Sequence, residues 1–307
     1  MRPMFLLRAA LLLSLLLSPA IIVAHDSPEH VIEILTARME TVGERPDLLW
    51  RRATEHRALA DHAAAARDLK RAIKLRGDYL PALIDLSRVR LTQGRRSEAL
   101  RTIERAMSLV SDEPSRAPLR MIKAEIFADS GNLAAALGEC DRALAGAGVA
   151  ELDWYLTRSQ IQCRLGQFAE AAEGLQRGFE LTGSAVLEVE SIDAMIDAAQ
   201  YEAALVKVEA AIAETRWQSS WLLRRARIRL GTGEVAAGHH DLAAAIVEMN
   251  RRLNPAHPES GLLSERGFAY ALLGDLALAK RDLASAKRRG AEPVSLRRLE
   301  LAIASQR

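Results

Sequence analysis

The chain has 307 residues, 49% of them apolar and 27% charged, a composition that folds rather than stays disordered. Its 42 Lys and Arg against 40 Asp and Glu leave a formal charge of +2, too balanced for a nucleic-acid-binding surface, so no nucleic-acid partner is expected. Aromatic residues are only 4% while 54 residues are Ala, which suits close helix packing and argues against a β-sandwich, and two cysteines exclude a disulfide-dense scaffold.

Residues 1–24 read as a secretory signal peptide. Arg2 and Arg8 precede a stretch from Ala9 to Ala24 that is apolar apart from Ser14, Ser18 and Pro19. Cleavage is expected after Ala24, where polar His25 and Asp26 follow, with Ala20 as the other candidate. The apolar stretch is short for a bilayer span of about 20 residues, so no stable membrane insertion is expected after cleavage. The expected location is outside the cytoplasm, periplasmic or secreted in a bacterium. Arg2 and Arg8 both fall in the leader, so the remaining 40 basic residues match the 40 acidic ones.

Residues 25–45 are expected to form a capping half-repeat. Ser27 and Pro28 look like an N-cap and first helical residue, opening a helix to Val42 whose Val31, Leu35 and Val42 cover the first repeat's open face.

Residues 46–292 carry one pattern seven times: a helix, a turn usually holding Gly, then a helix with small residues seven apart. One column runs Ala65, Ala99, Ala136, Ala171, Ala204, Gly238, Ala279, and its partner runs Ala72, Ala106, Ala143, Gly178, Ala211, Ala245, Ala286. Between them Leu69, Ile103, Cys140, Leu175, Val208, Leu242 and Leu283 keep to the same helical face. Twelve residues before each first alanine stand Ala53, Ser87, Ala124, Ser159, Ile192, Ala226 and Gly267, small in six of seven cases. Small residues facing one another let a hairpin close and bury its Leu and Ile. Gly94, Gly131, Gly166, Gly233 and Gly274 sit at the turns, where a positive φ is useful, and Ala60 and Ala199 replace Gly in the first and fifth repeats. The repeats are spaced by 34, 37, 35, 33, 34 and 41 residues, the last step holding a longer second helix and a loop over Asn250–Pro258. All eight prolines beyond the leader are expected between helices or at their starts.

Residues 293–307 are expected to form a C-terminal capping helix that closes on Leu296, Leu299 and Ile303 and leaves Arg297, Arg298 and Arg307 in water.

Together these columns resemble the tetratricopeptide repeat (TPR), a helix–turn–helix unit of 34 residues. Its Trp and Tyr columns are degraded here, with Tyr155 and Tyr270 among the survivors. The resemblance implies an all-α, right-handed TPR-like solenoid of seven repeats with N- and C-terminal capping helices. It also implies a concave groove, lined by the first helix of each repeat, that holds a peptide or a partner's helix. Carrying the family's groove columns onto this sequence gives Trp50, Arg57, Arg88, Met121, Glu125, Leu156, Gln160, Arg164, Val189, Asp193, Leu223 and Arg227 as partner-binding residues. Members that clamp a C-terminal carboxylate place Lys and Asn where this chain has Trp50, Ile84, Met121, Leu156, Val189 and Leu223, so that mode is not expected. Trp50 is either a hot spot beside Arg57 or a residue packed under the N-terminal helix.

Four repeats place a base and an acid 16 residues apart: Arg52/Asp68, Lys123/Glu139, Arg225/Asp241 and Arg266/Asp282. The recurrence suggests an ion pair stapling each hairpin, worth about 0–1 kcal/mol if exposed. No enzymatic motif is present: Gly231-Thr232-Gly233 lacks the lysine and length of a phosphate loop, and there is no GxSxG elbow. The expected function is therefore a non-enzymatic protein-interaction scaffold that needs no cofactor and no metal. The alternative of another class is an extracytoplasmic metal-handling or redox accessory using His25, with His30 one turn on. His56/His62 and His239/His240 are expected on hairpin surfaces, Cys140 in the core, and a Cys140–Cys163 disulfide is left open.

Overall fold

The computed structural model describes residues 27–306. The leader with both cleavage candidates, His25 and Arg307 therefore lie outside the described residues. Among the described residues all regular structure is helical, sixteen helices joined by short turns. The chain divides into two compact units with the boundary after Ser130.

The first unit holds α1 (Pro28–Val42), the hairpin α2 (Pro46–Ala58) and α3 (His62–Leu75), the hairpin α4 (Leu80–Thr92) and α5 (Arg96–Ser108), and α6 (Glu113–Asp129). The Ser27 hydroxyl caps α1 by accepting the His30 N–H at 3.4 Å. Leu35 and Met39 of α1 are buried and Val31 packs beside them, whereas Val42 is 54% exposed. The expected third contact thus passes from Val42 to Met39, because a spacing of four keeps residues 31, 35 and 39 on one face. A second correction concerns Pro118, which lies inside α6 rather than at a helix start. The helix begins a turn earlier than the proline implied, with Asp112 accepting the Ser115 N–H at 2.8 Å and Pro114 in the first turn.

The second unit begins with α7 (Leu133–Gly146) and continues with hairpins α8 (Leu152–Arg164) and α9 (Phe168–Thr182), α10 (Ala185–Asp197) and α11 (Tyr201–Glu214), α12 (Ser219–Gly231) and α13 (Val235–Arg252), and α14 (Ser260–Leu272) and α15 (Leu276–Arg288). It closes with α16 (Pro293–Ser305). The long repeat step falls on α13, the longest of the sixteen at 18 residues, and the loop after it.

Within each unit the small-residue columns are the hairpin seams. Of the fourteen positions all are buried except Ala211, which is half-buried near the end of α11. The Ser87 hydroxyl donates to the Ala99 carbonyl at 3.2 Å, so the small column of the first helix touches the backbone of the second. Where the seam is tightest only glycine fits: a Cβ at Gly178 would sit 2.8 Å from Tyr155 Cδ1 and 2.9 Å from Leu187 Cδ1. The surviving Tyr155 thus packs directly over the residue that the alanine column lacks. At the turns Gly94, Gly131, Gly166, Gly233 and Gly274 all have positive φ, and Ala60 and Ala199 adopt φ 57° in the same place.

Three of the four charge pairs are bidentate. Arg52 Nε and Nη2 donate to Asp68 at 2.7 and 2.8 Å, Arg225 to Asp241 at 2.9 and 2.8 Å, and Arg266 to Asp282 at 2.7 and 2.8 Å. The acids are nearly dry, with Asp241 and Asp282 side chains 2% exposed. Two of these arginines also reach back 16 residues, Arg52 to Thr36 Oγ1 at 2.9 Å and Arg266 to Asn250 Oδ1 at 2.7 Å, and so tie three consecutive helices. Of the fourth pair, Lys123 meets Glu104 at 3.0 Å and Glu139 meets Arg142 at 2.8 Å.

Candidate partner-binding site

In each unit some of the expected groove residues gather around one buried aspartate. In the first unit it is Asp85 of α4, 8% exposed. Trp50 Nε1–H donates to it at 2.7 Å and Arg57 at 2.6 Å from α2, while Arg88 lies 3.8 Å away one turn along α4. Trp50 also packs against the core of α1 to α4, so its ring is anchored at both its apolar body and its N–H.

In the second unit the centre is Asp193 of α10, 1% exposed. Arg224 donates to it at 2.7 Å and Arg298 at 3.1 Å, and Arg227 donates to its other oxygen. Arg227 also reaches Asp197 at 2.6 Å and lies 5.9 Å from the Phe268 ring centre. Burial pushes the Asp193 carboxyl up, but the three guanidiniums outweigh burial and hold it well below the usual carboxylate range. The same field raises Arg298, led by Asp193.

Arg298 corrects an expectation. Instead of standing in water it turns inward from α16, because Leu299 and Ile303 seat that helix on α14 and α15. The seat is close: a Cβ at Gly267 would lie 2.8 Å from Leu299 Cδ2. Arg297 is exposed as expected.

These side chains wall a cleft of about 190 Å³ into which α10, α12, α14 and α16 each send residues three apart: Glu190 and Asp193, Arg224 and Arg227, Glu265 and Phe268, and Ser295 and Arg298. Glu265 accepts the Ser220 hydroxyl at 2.6 Å. Two polar groups are left over. Arg224 Nε is buried without an acceptor, and Glu190 has no ion-pair or hydrogen-bond partner among the described residues. Burial, reinforced by Asp193, raises the Glu190 carboxyl above its usual range.

Of the other groove residues Leu223, 5% exposed, lines the same cleft, whereas Met121, 3% exposed, belongs to the core. Leu156 and Val189 are half-buried, and Glu125, Gln160 and Arg164 are exposed. Sequence reasoning missed Asp85, Arg224, Arg298 and Glu190. Arg224 stands three residues before Arg227 and Glu190 three before Asp193, so the signal was a second column one turn earlier on the same face.

Among the described residues no group of three His, Cys, Asp or Glu is placed to hold a metal ion. His56 Nε2 lies 3.9 Å from Asp68, and both it and His62 are half-buried rather than on the surface, while His239 and His240 are exposed. Cys140 and Cys163 are not joined by a disulfide; Cys140 is buried in the core as expected and Cys163 is half-buried. Among the described residues no helix is long and apolar enough to cross a membrane.

No protein-family model matches the sequence, and no curated protein matches it. Solved structures do. A tetratricopeptide repeat protein from Parabacteroides merdae is similar with a TM-score of 0.58 and 16% identity, over 84% of this chain and 98% of that one. YrrB, described as a TPR protein with an unusual peptide-binding site, is similar over 60% of this chain and 93% of its own, at 16% identity and TM-score 0.48. The Thermus thermophilus TPR protein TTC0263 is similar over 62% of this chain and 97% of its own, at 17% identity and TM-score 0.47. The sequential antiparallel helix pairs, the seams of small residues and the first of these likenesses give one conclusion: the chain has the all-α, tetratricopeptide-repeat-like solenoid fold.

Proposed function

We propose that the protein is a non-enzymatic scaffold that binds a segment of a partner protein along its first-helix face, and that it works outside the cytoplasm. The observation that carries this reading is the cleft of the second unit. Successive first helices bring charged and apolar side chains to one cleft whose walls are held in place by ion pairs before any partner arrives. Preformed walls reduce the ordering that binding must oppose. Glu190, half-buried on the cleft wall, supplies a carboxyl that complements an N–H or a cation of a partner segment. The leader, read from the sequence, supports the location.

Photo-crosslinking in the native host tests both parts. Benzoylphenylalanine is placed at Gln160 on α8, at Ser295 on α16 and, as a control, at Glu173 on the second helix α9; all three are exposed. The expected result is a protein adduct from Gln160 or Ser295 but not from Glu173, in the extracytoplasmic fraction, on a chain whose mass shows removal of residues 1–24. Adducts from Glu173 alone, or none from either first-helix position, would overturn the binding mode. A full-length chain in the cytoplasm would overturn the location.

A further inference from the structure

A second surface lies away from that cleft and shares no residue with it. It spans the α11–α12 connection and the exposed face of α13, where a shallow cleft of about 510 Å³ is lined by Trp217, Leu222, Ala243, Ala244 and Val247. Trp217 is 50% exposed and Val247 49%. A half-exposed Trp beside an exposed Val is a large apolar area to leave in water.

The charge around it is one-sided. Arg216 and Arg252 flank the indole, their guanidinium carbons 5.0 and 5.4 Å from the ring centre. Arg251 lines the same cleft, and both it and Arg216 are exposed. Glu248 is the one acid in the lining, and both its oxygens are already occupied: they accept the Gln218 and Ser219 N–H groups at 3.1 and 2.9 Å and so cap α12. Arg252 lies 3.7 Å from Glu248 and donates to Ser219 Oγ at 3.0 Å, which fixes it against the ring. Three guanidiniums therefore face one committed carboxylate around an apolar floor.

We infer that this surface docks an acidic amphipathic segment of a partner protein, in which an apolar side chain covers Trp217 and Val247 and flanking carboxylates meet Arg216 and Arg251. Tryptophan and arginine are the residue types that dominate binding hot spots, and here they are already stacked. A basic or neutral segment would leave the two arginines desolvated and unpaired, so charge selects the occupant.

Panning a random twelve-residue peptide library on the full chain, with Trp217→Ala as the counter-selecting chain, tests the inference. The expected peptides carry an aromatic or aliphatic residue flanked by Asp or Glu. They should bind Trp217→Ala and, separately, Arg216→Glu/Arg251→Glu at least tenfold more weakly than the parent, and lose affinity when their acids are replaced by Lys. All three altered residues are exposed, and unchanged helical circular dichroism confirms that each variant is folded. Failure to enrich any peptide, enrichment without an acidic bias, or affinities unchanged within twofold in both variants would overturn it. None of these outcomes bears on Gln160 or Ser295, so failure here is distinguishable from failure of the first-helix reading.

Discussion

Replacing Asp193 by Asn removes one charge while keeping the shape of the side chain, and leaves three guanidiniums facing one another. Arg224 and Arg227 side chains are only 12% and 9% exposed, and Arg298 is 31% exposed, so water replaces the lost carboxylate poorly. At an effective dielectric near 20 each close pair is worth about 4 kcal/mol, and stripping one partner from a buried pair costs about 3–5 kcal/mol. For a unit of this size, 1 kcal/mol moves the melting midpoint by about 2–4 °C, so Asp193→Asn should melt about 6–20 °C lower at pH 7. Adding Arg298→Met should recover part of that loss, because one unpaired cation is removed. The pH dependence has a definite sign. A carboxyl depressed in the folded state contributes fully above its unfolded value of about 3.9 and loses that contribution as pH falls toward its folded value. The gap between parent and Asp193→Asn should therefore be flat from pH 8 to about 5 and narrow below about 4. Thermal melts followed by circular dichroism at each pH supply the measurement. A gap under about 1 kcal/mol at pH 7, or one that widens on acidification, would show that Asp193 does not hold the three guanidiniums together.

Four further outcomes are expected. A double-mutant cycle on Arg266 and Asp282, measured by urea unfolding, should give a coupling of about 2–3 kcal/mol because the pair is bidentate and the acid buried; zero coupling would remove the staple. Ala199→Gly should stabilise by about 0.5–1 kcal/mol, since φ 57° strains a residue with a Cβ, whereas Gly178→Ala should destabilise by about 1–3 kcal/mol by driving a methyl into Tyr155 and Leu187. Cys163, its thiol pushed up to about 11 by burial with Asp197 adding, should alkylate roughly a hundredfold more slowly at pH 7.5 than a free thiol, and its rate should climb steadily toward pH 11.

The alanine and glycine columns made the fold legible, because a seam that admits only small side chains constrains composition at every repeat. Turn positions were legible for the same reason: a positive φ narrows the choice to glycine or, at Ala60 and Ala199, to a strained alanine. The site was only half legible. Asp193 and Arg227 stood in the implied groove columns, but Arg298 reached Asp193 from 105 residues away, a distance that no repeat period encodes. Its inward turn depends on how Leu299 and Ile303 seat α16, which is a packing result rather than a pattern. Pro118 misled in the opposite direction. A proline marks where a helix resists forming, yet Asp112 and Pro114 had already started α6 a turn earlier. The surface at Trp217 was invisible because exposure of a tryptophan is decided by its neighbours, not its spacing.

The most direct test of recognition by the first helices is amide hydrogen exchange of the full chain with and without a captured partner segment. Added protection is expected in α10, α12, α14 and α16, with α9 and α11 unchanged. Protection confined to the second helices, with the first helices unaltered, would contradict recognition by the first helices.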